Sequence, residues 1–153
     1  MLKKFLLLLL AISFAACQPH QLPDAHLESI LARELITNNQ SAVFNFCDKA
    51  KLDLDWDSLL VVKPYCSVAE IERLPISNSR QITDLVHRQV EGECVVFFLK
   101  NGTCTTYSTI TRSVVDFAEL GLSKQSGFAL ITKQNCVKKI HYKPDERWVY
   151  LSD

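Results

Sequence analysis

The sequence predicts an α+β domain, in which an antiparallel β-sheet of about five to seven strands has helices packed on a face. The clearest observation is Asn101-Gly102, which joins two arms rich in β-branched and aromatic residues and is typical of a two-residue β-hairpin. A stripe of Leu and Ile at helical spacing over residues 27–35 predicts an amphipathic helix. A short apolar segment begins with Ser67 and Glu70, which fit the capping box of a helix N-terminus.

Helix starts are predicted where a polar side chain precedes a helical stripe, because that side chain can accept hydrogen bonds from the first backbone N–H groups. The predicted caps are Asp24, Ser67 and Asn78, the last in a second capping box with Gln81. The third helix should carry Val90 on its apolar stripe and end near Gly92. A further short helix is predicted from Ser113 to Leu120, closed by Gly121.

Several segments have the composition of β-strands. They are residues 43–47, 59–62, 94–100, 103–110, 128–132, 136–140 and 147–151. The segments 128–132 and 136–140 are predicted to form a second hairpin about Gln134-Asn135. The first arm of the Asn101-Gly102 hairpin is apolar on both faces, which predicts a central strand that is covered on both sides.

Pairing Lys100 with Thr103 sets the predicted register of the first hairpin. Cys94 then lies opposite Thr109. Because side chains alternate between the two faces of a strand, Cys94 should share a face with Tyr107, whereas Cys104 should point to the opposite face. The sequence therefore predicts that Cys94 and Cys104 do not bond to each other.

The N-terminus has the pattern of a secretory signal. Lys3 and Lys4 precede an apolar run that becomes rich in small residues and stops at Cys17. A transmembrane helix needs about 20 apolar residues, and this run is shorter. Residues 1–16 are therefore predicted to be a signal peptide.

The segment Phe14-Ala15-Ala16-Cys17 resembles the lipobox of bacterial lipoproteins, with Phe14 where that family usually has Leu. The resemblance implies that a diacylglycerol is attached to Cys17 and that cleavage falls before it. Residues 17–23 would then be a lipidated tether, and residues 24–153 a single globular domain. Gln18 follows the cysteine, which implies the outer membrane, facing the periplasm, in a Gram-negative source. The alternative is an ordinary secreted protein cut after Ala16.

The charge balance indicates no nucleic-acid partner. The chain has 17 basic and 17 acidic residues, and removal of Lys3 and Lys4 leaves a small excess of acid. Basic residues do cluster late in the chain, at Lys133, Lys138, Lys139, Lys143 and Arg147. Such a cluster can contact anionic lipid or an acidic partner, and it can equally guard the edge of a sheet.

Five cysteines follow Cys17. They are Cys47, Cys66, Cys94, Cys104 and Cys136. In an oxidising compartment, five thiols form at most two disulfides and leave one over, for which a buried core position is the favoured interpretation. The alternative is an envelope enzyme in which an unpaired cysteine is the nucleophile and His87 or His141 is the base. No catalytic residue is nominated.

The stretch from Trp56-Asp57 to Pro64-Tyr65 resembles a run found in small, uncharacterised bacterial lipoproteins. The resemblance implies a shared fold and no particular activity. Trp56 is predicted to cover a sheet edge, Asp57 to cap a turn, and Tyr65 to lie at a strand exit. The functional alternative is a cleft near Trp56, Asp55, Asp57 and Tyr65 that binds a small ligand or a cell-wall fragment.

No metal or cofactor is predicted. The four histidines lack ligand spacing, and the alternating Asp53, Asp55 and Asp57 lack the glycine and the distal glutamate of a calcium loop. The sequence favours a lipid-anchored cell-envelope domain, held in the membrane through Cys17, which binds an unknown envelope protein and is not an enzyme.

Overall fold

A computed structural model describes residues 21–37, 43–48, 52–121, 126–143 and 148–153 of the chain. The predicted signal peptide, Cys17 and the lipobox-like segment lie outside these residues. Three helices and seven strands occur in the described ranges. In chain order they are α1 Leu27–Thr37, β1 Val43–Asn45, β2 Ser58–Val62, α2 Val68–Glu72, α3 Ser79–Val86, β3 Glu93–Lys100, β4 Thr103–Thr111, β5 Phe128–Thr132, β6 Val137–Lys143 and β7 Trp148–Ser152. No helix in these ranges is both long enough and apolar enough to span a bilayer.

The strands form two antiparallel sheets, which confirms the α+β class. One sheet has the order β4-β3-β2-β5, and the other has the order β1-β6-β7. The predicted second hairpin is wrong, because β5 pairs with β2 while β6 pairs with β1 and β7. The turn between β5 and β6 instead carries the chain from one sheet to the other. A short turn permits either arrangement, and the five-residue pairing of β5 with β2 decides between them.

The central strand β3 is buried along both faces, as predicted from its composition. One core joins its Val96 and Phe98 to apolar residues of α1 and β7, among them Leu27, Leu31 and Leu151. The second core joins its Val95 and Phe97 to apolar residues of α2 and α3, namely Ile71, Ile82 and Val86. Each fully buried Leu, Val or Phe contributes about 1.5–3 kcal/mol relative to an exposed one, so the two cores fix the position of β3.

A β-bulge changes the predicted register of the β3–β4 hairpin. Leu99 lies opposite Cys104 as expected, but Phe98 lies opposite Thr106, so Thr105 is the extra residue. Its hydroxyl donates to the carbonyl of Phe98 at 3.2 Å.

The bulge shifts every later pair by one position. Cys94 therefore lies opposite Ile110 rather than Thr109, and Tyr107 lies opposite Phe97 and packs against the second core. The prediction that Tyr107 shares a face with Cys94 is wrong. Cys94 and Cys104 belong to different cores and are not bonded to each other, as predicted.

The structure confirms two local predictions, the turn at Asn101-Gly102 and the helix cap at Ser67. Asn101 and Gly102 have φ values of +50° and +71°, as a type I′ hairpin turn requires. At α2, the Glu70 amide donates to the Ser67 hydroxyl at 3.3 Å, and the Ser67 amide donates to the Glu70 carboxylate at 3.1 Å. This reciprocal pair is the predicted capping box.

The predicted box at Asn78 and the predicted cap at Asp24 do not form. The Asn78 amide bonds to the backbone of Cys104 instead of capping α3. Asp24 accepts a hydrogen bond from the His26 amide at 2.8 Å, just before α1 begins. In both cases the side chain forms hydrogen bonds with a backbone group outside the helix, so it does not cap the first helical turn.

The predicted helix from Ser113 to Leu120 is wrong. The Asp116 amide donates to the Val149 carbonyl at 2.8 Å, and the Leu151 amide donates to the Asp116 carbonyl at 3.0 Å. Val115 and Phe117, on either side of Asp116, both belong to the first core, as alternate side chains of an extended segment can. The backbone here follows β7 because that arrangement buries both side chains and satisfies the Asp116 peptide groups.

Candidate functional site

Trp56 belongs to the first core, with an exposed fraction of 2%. The Lys133 ammonium lies 3.3 Å from the centroid of its ring, which is a cation–π contact. Trp56 therefore packs inside the domain and presents no free face to a ligand.

Asp57 stabilises the turn between β3 and β4. Its carboxylate accepts the Asn101 amide at 2.8 Å and the Lys100 ammonium at 3.1 Å. These bonds, first that from the Asn101 amide, lower the pKa of Asp57. Asp55 binds the same Lys100 ammonium at 2.8 Å. The two acids thus hold a hairpin turn, in keeping with the predicted turn-capping role of Asp57.

Tyr65 lies at the other end of β2. Its side chain is 80% exposed and its φ is +66°, an uncommon conformation for a bulky residue. Its hydroxyl donates to the Glu91 carboxylate at 2.5 Å, and this hydrogen bond raises the pKa of Tyr65. Asp57 precedes β2, Tyr65 follows it and Trp56 is buried, so the structure does not bring these predicted site residues together in one cleft.

A cavity of about 200 Å³ lies beside Tyr65. Its walls are Pro64, Tyr65 and Cys66 after β2, and Val86, Gln89, Val90 and Glu91 at and after the end of α3. The sequence analysis did not predict that residues after α3 line this cavity, because it placed Val90 on the buried stripe of that helix. In the structure α3 ends at Val86, and Val90 is 57% exposed. Gly92 was the predicted end of this helix, so the glycine did not reveal that the helix ends earlier in the chain.

Among the described wall residues, Cys66 alone carries a thiol. The thiol contacts the Ser67 carbonyl at 3.6 Å and the Glu70 carboxylate at 3.9 Å. Partial burial, and then the Glu70 charge, raise the pKa of Cys66 to about 11. Gly127 packs so closely that an added Cβ would lie 2.8 Å from the Cys66 sulfur. The thiol is therefore protonated and confined at neutral pH.

Cys47 and Cys136 form a disulfide. Three thiols are left among the described residues rather than the one expected: Cys66, Cys94 and Cys104. Burial raises the pKa of both Cys94 and Cys104 to about 12. A cysteine nucleophile needs a lowered thiol pKa, and all three shifts have the opposite sign.

The two histidines considered as bases lie elsewhere. His141 stacks on Tyr150, with ring centroids 4.8 Å apart, and one ring nitrogen is 2.8 Å from the Ser152 hydroxyl. His87 lines a second cavity of about 330 Å³ between α2 and α3, with Glu72, Arg80 and Asp84. Charges of both signs border this second cavity, and none of its described lining residues is a cysteine.

Part of the basic cluster is internal rather than exposed. Lys138 is only 2% exposed and forms an ion pair with Asp153. The Lys139 ammonium donates to the main-chain oxygen of Asp153 at 3.1 Å. The structure describes no side chain for Lys143 or Arg147. The prediction of a solvated edge therefore fails for Lys138, because its strand position points it toward the protein interior.

Two other buried charges are satisfied in the same region. Lys63 donates to the Ala118 carbonyl at 3.1 Å, and burial lowers its pKa. Asp116 binds the Arg112 guanidinium at 2.6 Å. Across the described ranges, no group of three or more potential metal-ligating side chains occurs.

Comparison of the chain with protein-family models, with curated proteins and with solved structures found no match.

Proposed function

We propose that this chain is a lipid-anchored cell-envelope domain that binds another envelope protein and is not an enzyme. The observation that carries the binding function is Tyr65, an aromatic side chain that stays 80% exposed and is tied to Glu91 at the rim of a cavity. Large exposed aromatic side chains are enriched where proteins bind partners.

The anchor is proposed from the lipobox-like segment that ends at Cys17. Packing of the domain extends to Leu22, which contacts the second core, and the Pro23 carbonyl accepts the Tyr107 amide at 3.1 Å. Only residues 18–21 separate Cys17 from these contacts. Since an extended chain spans at most about 3.6 Å per residue, a lipid on Cys17 would hold the domain within roughly 20 Å of the membrane.

The thiol chemistry supports a binding function over the cysteine-enzyme alternative. The pKa of Cys66, the most accessible of the three thiols, is raised to about 11 by burial, whereas a nucleophilic thiol needs a lowered one. The disulfide between Cys47 and Cys136 fits an oxidising compartment such as the periplasm.

We also propose that α2 and α3 form a layer on one face of the four-stranded sheet, since Ile71 and Ile82 share a core with Val95 and Phe97. Both cavities described above border α3. This helical face is therefore the proposed contact surface.

We expect a partner to bind through side-chain contacts and not by adding a strand to the sheet beside β5. The Ser126 hydroxyl bonds to both the amide and the carbonyl of Phe128. Asn135 accepts the Thr132 amide at 2.5 Å and donates to the Leu130 carbonyl at 3.4 Å. These local bonds occupy the outer edge of β5, which disfavours strand addition there.

Site-specific photocrosslinking in intact cells tests the proposal. A photoreactive phenylalanine analogue replaces Val90 at the cavity, and a matched probe replaces Tyr142, which is 63% exposed on β6. We expect one dominant crosslinked protein from position 90, identified by mass spectrometry and lost in Cys17→Ser. The same products from both positions, or none from position 90, would contradict the proposed surface.

A small ligand such as a cell-wall fragment is the second candidate. The observation that favours it is the volume of the Tyr65 cavity, about 200 Å³, which suits a small molecule. Saturable binding of such a fragment by purified protein, with no crosslinked partner in cells, would favour this second function.

A further inference from the structure

The Tyr65 cavity has an aromatic face that no described residue covers. The Glu91 carboxylate fixes the phenol end of the side chain, while 80% of the residue stays exposed. The other exposed tyrosine, Tyr142, lies on β6 in the other sheet and lines neither cavity described above. A held, exposed ring beside a cavity provides a stacking surface for a ligand.

The side chains around this face offer hydrogen-bond acceptors. The Gln89 amide nitrogen donates to the Glu93 carbonyl at 2.5 Å, and the oxygen of the same amide is an acceptor. One Glu91 oxygen accepts the Tyr65 hydroxyl, and the carboxylate has a second oxygen. The Cys66 thiol points to the Ser67 carbonyl and the Glu70 carboxylate. A ligand group that donates hydrogen bonds fits these walls.

The charged side chain among the described wall residues is acidic. Glu91 is part of the wall, and Glu70 lies behind Cys66 at 3.9 Å from its sulfur. Among the residues that the structure describes, none in the wall is a lysine, arginine or histidine. Arg112, whose positive charge acts to lower the pKa of Tyr65, forms an ion pair with Asp116 at 2.6 Å, which offsets part of that charge. A carboxylate next to an exposed aromatic face favours a cation, because both attract positive charge.

The geometry points to a docking site for the cationic end of a lysine or arginine side chain from a partner protein. This inference rests on the proposed interaction function and names the chemistry of the partner. The volume of about 200 Å³ admits one long side chain. Pro64, Val86 and Val90 provide apolar walls for its aliphatic stem, while Tyr65 and Glu91 receive the charge.

An NMR titration of the purified full-length protein in detergent micelles tests this site. The probe is the tripeptide acetyl-Gly-Lys-Gly-amide, and its matched control carries Nε-acetyl-lysine, which keeps the stem and removes the charge. We expect saturable shifts of the backbone amides of residues 65–66 and 89–91 with the charged peptide, and at least about threefold weaker binding of the acetylated one.

Variants test the contributions of the Glu91 charge and the Tyr65 ring to binding. Glu91→Gln keeps an acceptor for the Tyr65 hydroxyl but removes the negative charge, and Tyr65→Leu removes the aromatic face. Each should weaken binding by about threefold to fivefold. Asp53→Asn removes an equal charge at an exposed site outside the cavity, and Tyr142→Leu removes the other exposed ring, so both should leave the affinity unchanged.

Equal binding of the acetylated peptide, or no response of the cavity amides, would overturn the inference. Response to N-acetylglucosamine alone would assign the cavity to a sugar, and n-butylamine binding as tightly as the peptide would assign it to a free amine.

Either result can coexist with a Cys17-dependent crosslinked partner. Failure of this site is therefore distinguishable from failure of the proposed interaction function. The comparison of the two peptides needs no variant, so it decides the question even where a substitution unfolds the protein.

Discussion

Asn78 pairs with the backbone of Cys104 through both ends of its side-chain amide. Its nitrogen donates to the Cys104 carbonyl at 2.9 Å, and its oxygen accepts the Cys104 amide at 2.8 Å. The side chain thus acts as one residue of an additional strand at the outer edge of β4. It also joins the start of α3 to the four-stranded sheet, next to the β-bulge at Thr105.

Asn78→Ala should lower the free energy of unfolding by about 1–3 kcal/mol, because the peptide groups of a buried Cys104 lose both partners. Urea denaturation monitored by circular dichroism measures the change. Gln134→Ala, at an exposed turn residue, is the matched control and should change stability by less than about 0.5 kcal/mol. An Asn78 variant as stable as that control would show that water replaces these bonds.

Reduction of the disulfide should destabilise the domain strongly. Cys47 and Cys136 are separated by 89 residues, and a disulfide closing a loop of that order contributes about 2–5 kcal/mol. We expect dithiothreitol to lower the urea midpoint of the wild-type protein and to leave that of the Cys47→Ser, Cys136→Ser double variant unchanged. A similar shift in the double variant would indicate that the effect comes from other thiols.

The three thiols should react slowly in the folded protein. Burial raises the pKa of Cys66 to about 11 and those of Cys94 and Cys104 to about 12, above the ordinary value of 9.0. The rate of iodoacetamide labelling at Cys66 should therefore rise with pH and still be increasing at pH 10, since only the thiolate reacts. Protein unfolded in guanidinium, which labels readily at neutral pH, is the control. Rapid labelling of one native thiol at pH 7 would revive the cysteine-enzyme alternative.

Acid should weaken the fold partly through Asp153. The hydrogen bond from Lys138 lowers the pKa of Asp153 from 3.8, and the Gly121 amide lowers it further. A carboxyl whose folded pKa is lowered stabilises the native state above the unfolded value, and this contribution is lost as the pH falls through the folded value.

Asp153→Asn should therefore reduce the loss of unfolding free energy between pH 6 and pH 3, measured by urea denaturation at each pH. Asp53→Asn, at an exposed acid, is the control and should keep the wild-type slope. Some slope should remain in Asp153→Asn, because Asp57 has a pKa lowered in the same direction. An unchanged slope in Asp153→Asn would contradict the role of the Lys138 pair.

Cys17→Ser should move the protein from the membrane fraction to the soluble fraction. Each buried methylene contributes about 0.8 kcal/mol, so loss of the acyl chains removes the membrane affinity proposed for the lipid. Fractionation followed by immunoblotting measures this, with Cys66→Ser, which should stay with the membrane, as control. A Cys17→Ser protein that sediments with the membrane would refute the anchor.

The candidate site was only half predictable. Tyr65 was predicted to lie at a strand exit beside Pro64, and it was a site residue only in the alternative of a ligand cleft. Its partner Glu91 was not predicted, because 26 residues separate the two side chains and only the packing of α3 brings them together. Trp56 and Asp57 were nominated with Tyr65, yet burial directs Trp56 into the core and the Asn101 amide engages Asp57.

The sequence by itself determined the features that depend on neighbouring residues. Asn101-Gly102 specified the hairpin turn, Ser67 and Glu70 specified the start of α2, and the apolar run of β3 specified a strand buried on both faces. Tertiary structure alone decided the division of strands between two sheets, the bulge at Thr105 and the extended path of residues 115–117. The physical reason is that pairing partners are chosen by burial and hydrogen bonding between segments that are distant in the chain, and no local pattern encodes that choice.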